Sequence, residues 1–289
     1  MSDAAELADD LVAKAEKKLK GGMFGNLFGS KKEEAVDILE EAANKYKQAK
    51  RWASCGETHK KRAELQIALN DKFGAGGSYQ AAFQAYKKDD GSSKEALECL
   101  NAAIELFVNN GRFTQVAKFH KEAGEMFEAE LNYKEAIKQY QSAADYYKGE
   151  DQTSSANQCL KQVGLLSGEL EDYATAIEVY ESIAASSLDV ALLKWGVKDY
   201  FFQAGLYHLA TADTVAARRA LDRYKDQDVS FKDHRECKLL EQLVDACDEM
   251  DVEALTEAIA EFDEVSKLDK WKTTILLRIK NKLKDSDLT

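Results

Sequence analysis

Four histidines, His59, His120, His208 and His234, are the side chains best suited to acid–base chemistry near neutral pH. They lie far apart in the chain, and none has a nucleophile placed beside it. The five cysteines (Cys55, Cys99, Cys159, Cys237, Cys247) contain no CxxC pair and have no histidine at metal-ligand spacing. They read as reduced thiols in a reducing compartment. Carboxylates are abundant, but on solvated helix faces that is the default. The chain lacks a GxxxxGK[ST] phosphate loop, an HExxH pair and a GxSxG elbow. No catalytic residue, metal site or cofactor is expected, and the chemistry to look for is that of contact.

Three groups of residues could make such contacts. In GGMFGNLFGSKK, residues 21–32, Met23, Phe24, Leu27 and Phe28 are large and apolar yet set among glycines. Those glycines argue against a stable helix. A loop of this kind could touch a membrane, with Lys20, Lys31 and Lys32 favouring anionic lipid, or fold back on the first hairpin. The tail KDSDLT surrounds Leu288 with Asp285, Asp287 and a terminal carboxylate. It suits a basic cleft with a small pocket, or is an ordinary solvated terminus. Lastly, Lys47, Lys50, Arg51, Arg112, Lys118, Lys121 and Lys161 are basic residues in a chain of net charge -12. On one face they would attract an acidic partner; scattered, they would only be solvated.

The elements that carry these residues are helical. Proline is absent from all 289 residues, where ordinary usage predicts about 14, and this suits nearly continuous helix. Three segments repeat: KEALECLNAAIELF from Lys94, KEAIKQYQSAADYY from Lys134 and ATAIEVYESIAASS from Ala174. Ala96, Ala136 and Ala176 share one period, as do Leu97, Ile137 and Ile177, then Leu100, Tyr140 and Tyr180, and finally Ala103, Ala143 and Ile183. Within each copy these positions form one helical stripe containing small residues. Second helices, such as Phe113–Phe127 and Ser155–Leu166, lie between the stripes, joined by short polar links. An earlier copy falls at Glu33–Tyr46 and a later one at Asp199–Ala210 with Val215–Tyr224. Gly74, Gly76 and Gly77 read as a hairpin turn.

A lone hairpin cannot bury its stripe, so the copies must stack. The expected fold is all-α: a right-handed superhelical solenoid of TPR-like antiparallel hairpins over residues 1–234. Residues 235–289, which lack the Ala/Tyr pattern, form a C-terminal helical bundle and acidic tail. No apolar run approaches the roughly 18–20 residues of a bilayer span. Glu6, Asp9 and Asp10 make the N-terminus unlike a signal peptide.

Several long strings are similar to the soluble NSF attachment proteins, the alpha form most closely. They are MFGNLFGSKKEEA, GRFTQVAKFHKEAGEMFE at Gly111–Glu128, SAADYYKGE at Ser142–Glu150 and SSANQCL at Ser154–Leu160. LLKWGVKDYFF at Leu192–Phe202, RECKLL at Arg235–Leu240 and LDKWKTTILLRIK at Leu268–Lys280 complete the set. The resemblance implies an adaptor that binds SNARE complexes in vesicle fusion and intracellular transport. It would recruit and stimulate the AAA+ ATPase NSF (N-ethylmaleimide-sensitive factor), which pulls them apart. It implies SNARE contact by Lys50, Arg112 and Lys118; a further basic position is Gln158 here, for which Lys161 would have to compensate. It assigns membrane contact to Met23, Phe24, Leu27 and Phe28. It assigns ATPase binding and stimulation to Asp245, Asp248, Glu249, Asp285, Asp287 and Leu288. The chain would then be cytoplasmic and peripherally membrane-associated.

The alternative is a generic TPR-like scaffold for another protein complex. Nucleic acid is not expected as a partner, given the charge of -12 and the lack of an interleaved basic–aromatic pattern.

Overall fold

The computed structural model describes residues 2–20 and 27–287, with side chains over 3–20 and 31–285. Among them are fourteen α-helices. The first six are α1 (Ser2–Lys20), α2 (Leu27–Gln48), α3 (Trp52–Ala68), α4 (Lys72–Tyr86), α5 (Ser93–Asn109) and α6 (Phe113–Ala129). Then come α7 (Tyr133–Gly149), α8 (Thr153–Glu169), α9 (Tyr173–Leu188), α10 (Val197–Ala210) and α11 (Thr214–Gln227). The last three are α12 (Arg235–Asp248), α13 (Val252–Val265) and α14 (Lys270–Asp287). Short 3₁₀ turns at Lys194–Gly196 and Val229–Asp233 precede α10 and α12. The chain divides into two compact units, Met1–Ala123 and Gly124–Thr289.

One corner device recurs. A residue with positive φ ends the helix: Lys50, Asn70, Gly111, Leu131, Asp151, Glu171, Ala212 and Met250. In most corners the next N–H reaches back to a carbonyl five positions earlier, as Arg51 to Tyr46 (2.9 Å), Arg112 to Phe107 (2.9 Å) and Gln152 to Tyr147 (2.9 Å). This closes off carbonyls that a helix end leaves bare. Asp71, Asp172, Asp213 and Asp251 then cap the next helix by accepting from its first-turn N–H groups. The corners at 111, 131, 151 and 171 are 20 residues apart, so the 40-residue repeat is two helices.

The stripes point inward as expected. Ala96, Leu100 and Ala103, Ala136, Tyr140 and Ala143, and Ala176, Tyr180 and Ile183 are all buried. Small residues admit the large ones: a Cβ on Gly124 would lie 2.9 Å from the Tyr140 ring, and one on Gly164 2.6 Å from the Tyr180 ring. In the first unit, ion pairs join α3 to α1 (Lys61–Glu16, 3.2 Å) and α3 to α5 (Lys60–Glu98, 3.5 Å). Gln84 and Lys87 of α4 reach Glu122 of α6. Odd helices therefore neighbour odd ones, and even helices even ones. In the second unit α14 folds back on the repeats. Trp271 Nε1 donates to the Tyr207 hydroxyl (2.8 Å), Arg278 to the Gly168 carbonyl (2.8 Å) and Lys282 to the Ala210 carbonyl (2.6 Å).

Two expectations are corrected. Gly74, Gly76 and Gly77 form no turn; they lie inside α4, where Gly76 lets the Phe107 ring approach, since a Cβ there would lie 2.9 Å from it. The apolar loop also does not extend to residue 32, because α2 begins at Leu27. Gly29 sits in its first turn, where backbone N–H groups lack intrahelical partners anyway and glycine is tolerated. All five cysteines are free thiols, and all are buried.

Candidate functional site

Lys50, Arg112, Lys118 and Lys161 are all exposed. Among the described residues none of the four is paired with a carboxylate, whereas Lys60, Lys61, Arg62 and Lys87 each are. In the first unit Lys50 is the positive-φ residue of the α2–α3 corner. Arg112 immediately precedes α6, and Lys118 lies in its second turn. Successive antiparallel helices put the corner at Lys50 and the corner at Arg112 at opposite ends of the hairpins. Lys88 stands over the Trp52 ring at the first end (4.7 Å), and Arg112 over the Phe73 ring at the second (5.7 Å). Seventeen helical residues separate the ends, a length of about 25 Å. Lys50 and Arg112 thus lie at opposite ends of the hairpins of the first unit, not at one spot. In the second unit Lys161 of α8 lies 5.9 Å from the Tyr200 ring.

Of the acidic residues, Asp245 and Asp248 are one turn apart on α12, and Arg218 of α11 bridges them. Its Nη2 is 2.9 Å from Asp245 Oδ1, and its Nε is 3.1 Å from Asp248 Oδ2. A hydrogen bond from the Thr214 side chain, and then Arg218, holds the Asp248 carboxyl below its usual range. Reading the chain linearly misses Arg218, which partly neutralises this pair. Glu249 and Asp285 are exposed with no ion pair among the described residues. Beside Asp248 is a cleft of about 250 Å³ lined by Leu209, Cys247, Met250, Ile279, Lys282 and Leu283, among others.

The family model described as "Soluble NSF attachment protein, SNAP" matches residues 6–284. This chain belongs to the soluble NSF attachment protein family. An alpha-soluble NSF attachment protein of Vitis vinifera is 43% identical over 100% of this chain and 98% of its own length. The beta protein of Bos taurus is 44% identical over 96% of this chain and 93% of its own. The alpha protein of Homo sapiens is 42% identical over 96% and 95%.

Other residues that the family resemblance pointed to lie beyond reach or at new places. Met23, Phe24 and Leu288 fall outside the described residues, as do the side chains of Leu27, Phe28 and Asp287. Gln158 is exposed on α8 one turn before Lys161. No helix among the described residues is long and apolar enough to cross a membrane.

In this attachment protein the linear reading also missed a pair of exposed apolar residues. Leu192 is 89% and Trp195 86% exposed, in the connector between α9 and α10. Trp195 borders a cleft of about 460 Å³ with Lys194, Lys198, Asp228 and His234. Helical periodicity gives no rule for a connector, so neither residue could be sorted as core or surface.

Proposed function

We propose that this chain is an adaptor that binds SNARE complexes and recruits and stimulates an NSF-type AAA+ ATPase that disassembles them. The observation that carries this reading is the full-length likeness to the attachment proteins, over residues 6–284. The exposed bases Lys50, Arg112, Lys118 and Lys161, none paired with a carboxylate among the described residues, support it. An acidic helical bundle meeting several such bases is held by a broad, salt-sensitive attraction that needs no sequence readout. Residues 1–234 would supply that grip. Residues 235–289 would meet a basic domain of the ATPase through Glu249, Asp285 and Asp287, with Asp245 and Asp248 contributing the charge that Arg218 leaves. Leu288 would stimulate the motor. Met23, Phe24, Leu27 and Phe28 would add a weak peripheral membrane contact, useful only alongside the other tethers. The adaptor, located in the cytoplasm, hydrolyses nothing itself.

The test is capture of a purified SNARE bundle by the parent chain and by Arg112→Glu with Lys118→Glu, across a salt series. The reading expects tight capture at low salt, falling as salt rises, and a loss of at least about tenfold on double reversal. Affinity unmoved by both salt and reversal rejects the basic grip.

A further inference from the structure

Phe73 is the second residue of α4 and is 61% exposed. A single exposed apolar residue is ordinary. This one is set apart by its support and by what covers it. The Phe107 ring lies 6.5 Å away at a 58° tilt, and Phe107 meets the fully buried Phe119 edge-on at 5.4 Å. Gly76 admits Phe107 at that depth. An aromatic stack therefore runs from the core of the first unit to its surface and ends at Phe73.

The Arg112 guanidinium stands over this outermost ring, 5.7 Å from its centroid. Arg112 is held by its backbone on both sides. Its N–H donates to the Phe107 carbonyl (2.9 Å), and its own carbonyl accepts from Gln115 (3.0 Å) and Val116 (3.1 Å). No carboxylate among the described residues competes for its side chain. A cation over a ring face is attracted by the ring quadrupole. Arginine so stacked still turns the N–H edge of its planar fork outward.

We infer that Phe73 and Arg112 form one composite contact in the SNARE-binding surface, the ring holding the guanidinium and adding an apolar edge beside its charge. The inference rests on the proposed function. Lys50 and Lys118 present charge alone, so their share of binding fades with salt. The Phe73–Arg112 pair suits an acidic helix on which an aliphatic side chain flanks a carboxylate, and part of its grip persists at high salt. Phe73 is thus a positioning residue for Arg112 as well as a contact.

The experiment is a double-mutant cycle on SNARE-bundle affinity with the full chain, using Phe73→Ala, Arg112→Ala and both. Phe73→Ala is expected to weaken binding by about three- to tenfold at every salt concentration, leaving the salt slope near that of the parent. In the Arg112→Ala background the same change is expected to cost clearly less, because only the apolar edge remains to be lost. Phe73→Trp keeps affinity, while Phe73→Leu falls toward the alanine value. Because Phe73 is more than half exposed, thermal unfolding should shift by only about a few degrees, and Phe73→Leu, equally stable but weaker in binding, separates this role from a structural one. Additive losses in the cycle, or full binding by Phe73→Ala, overturn the inference and leave the adaptor reading standing. An Arg112→Ala chain that binds like the parent overturns the inference, and the basic grip falls with it only when affinity is also unmoved by salt.

Discussion

Replacing glycine by alanine at two helical positions should move stability in opposite directions. At Gly164 of α8 the new Cβ would lie 2.6, 3.0 and 3.0 Å from atoms of the Tyr180 ring, against about 3.5–4.0 Å for relaxed carbon contacts. The ring cannot retreat easily. Tyr180 is 1% exposed, stacks on Tyr207 with centroids 5.9 Å apart, and donates its hydroxyl to the Lys161 carbonyl (3.2 Å). Overpacking of this kind costs about 1–3 kcal/mol, and the better helix propensity of alanine returns at most about 1 kcal/mol. Gly164→Ala should therefore lose about 1–2 kcal/mol and lower the thermal midpoint by roughly 2–6 °C. At Gly77 of α4 no atom lies within 4 Å of the new Cβ, so only propensity acts, and Gly77→Ala should gain about 0.5–1 kcal/mol. Urea unfolding measures the changes, and native-state hydrogen exchange assigns each to its own unit. A Gly164→Ala chain as stable as Gly77→Ala would refute the close approach of α8 and α9 on which the repeat packing depends.

Three further outcomes follow from the same geometry. Glu171 holds φ at +60, so Glu171→Gly should stabilise the chain by up to about 1 kcal/mol in thermal unfolding, and a loss would mean that the corner is not left-handed. Burial first, then the Arg62 and Lys47 charges, push the His59 imidazole down to about 4. Between that value and its ordinary 6.5 the unfolded chain binds more protons, so stability should fall by roughly 1–3 kcal/mol as pH drops through this window. His59→Gln should flatten that slope, and an unchanged slope would clear His59 of the effect. Arg218→Ala frees Asp245 and Asp248 from their internal cation, so binding to the basic domain of the ATPase should tighten a few-fold at low salt. Weaker binding would instead make Arg218 the organiser of that acidic surface.

Much of this was legible along the chain because helical burial is periodic. Ala136, Tyr140 and Ala143 declare their stripe by spacing alone, and the structure buries all three. The corners were less legible. A left-handed corner normally announces itself with glycine, but seven of the eight here use Lys, Asn, Leu, Asp, Glu, Ala or Met, and all of these but the one at Ala212 are held by the reaching-back hydrogen bonds instead. Glycine misled in the other direction at Gly74–Gly77, where it marks helix contact and open surface, not chain reversal. Lys118 could be marked as basic from its letter. That Arg112 rests on Phe73 while Arg218 is spent on two aspartates depends on pairing between helices, which one strand of letters does not encode.

Under the proposed function this chain couples a SNARE bundle to a motor. The most direct measurement is ATP-dependent disassembly of a purified SNARE bundle by the NSF-type ATPase, with and without the chain. Little disassembly is expected from the ATPase alone, and rapid disassembly once the chain is added. Equal rates in the two reactions would contradict it.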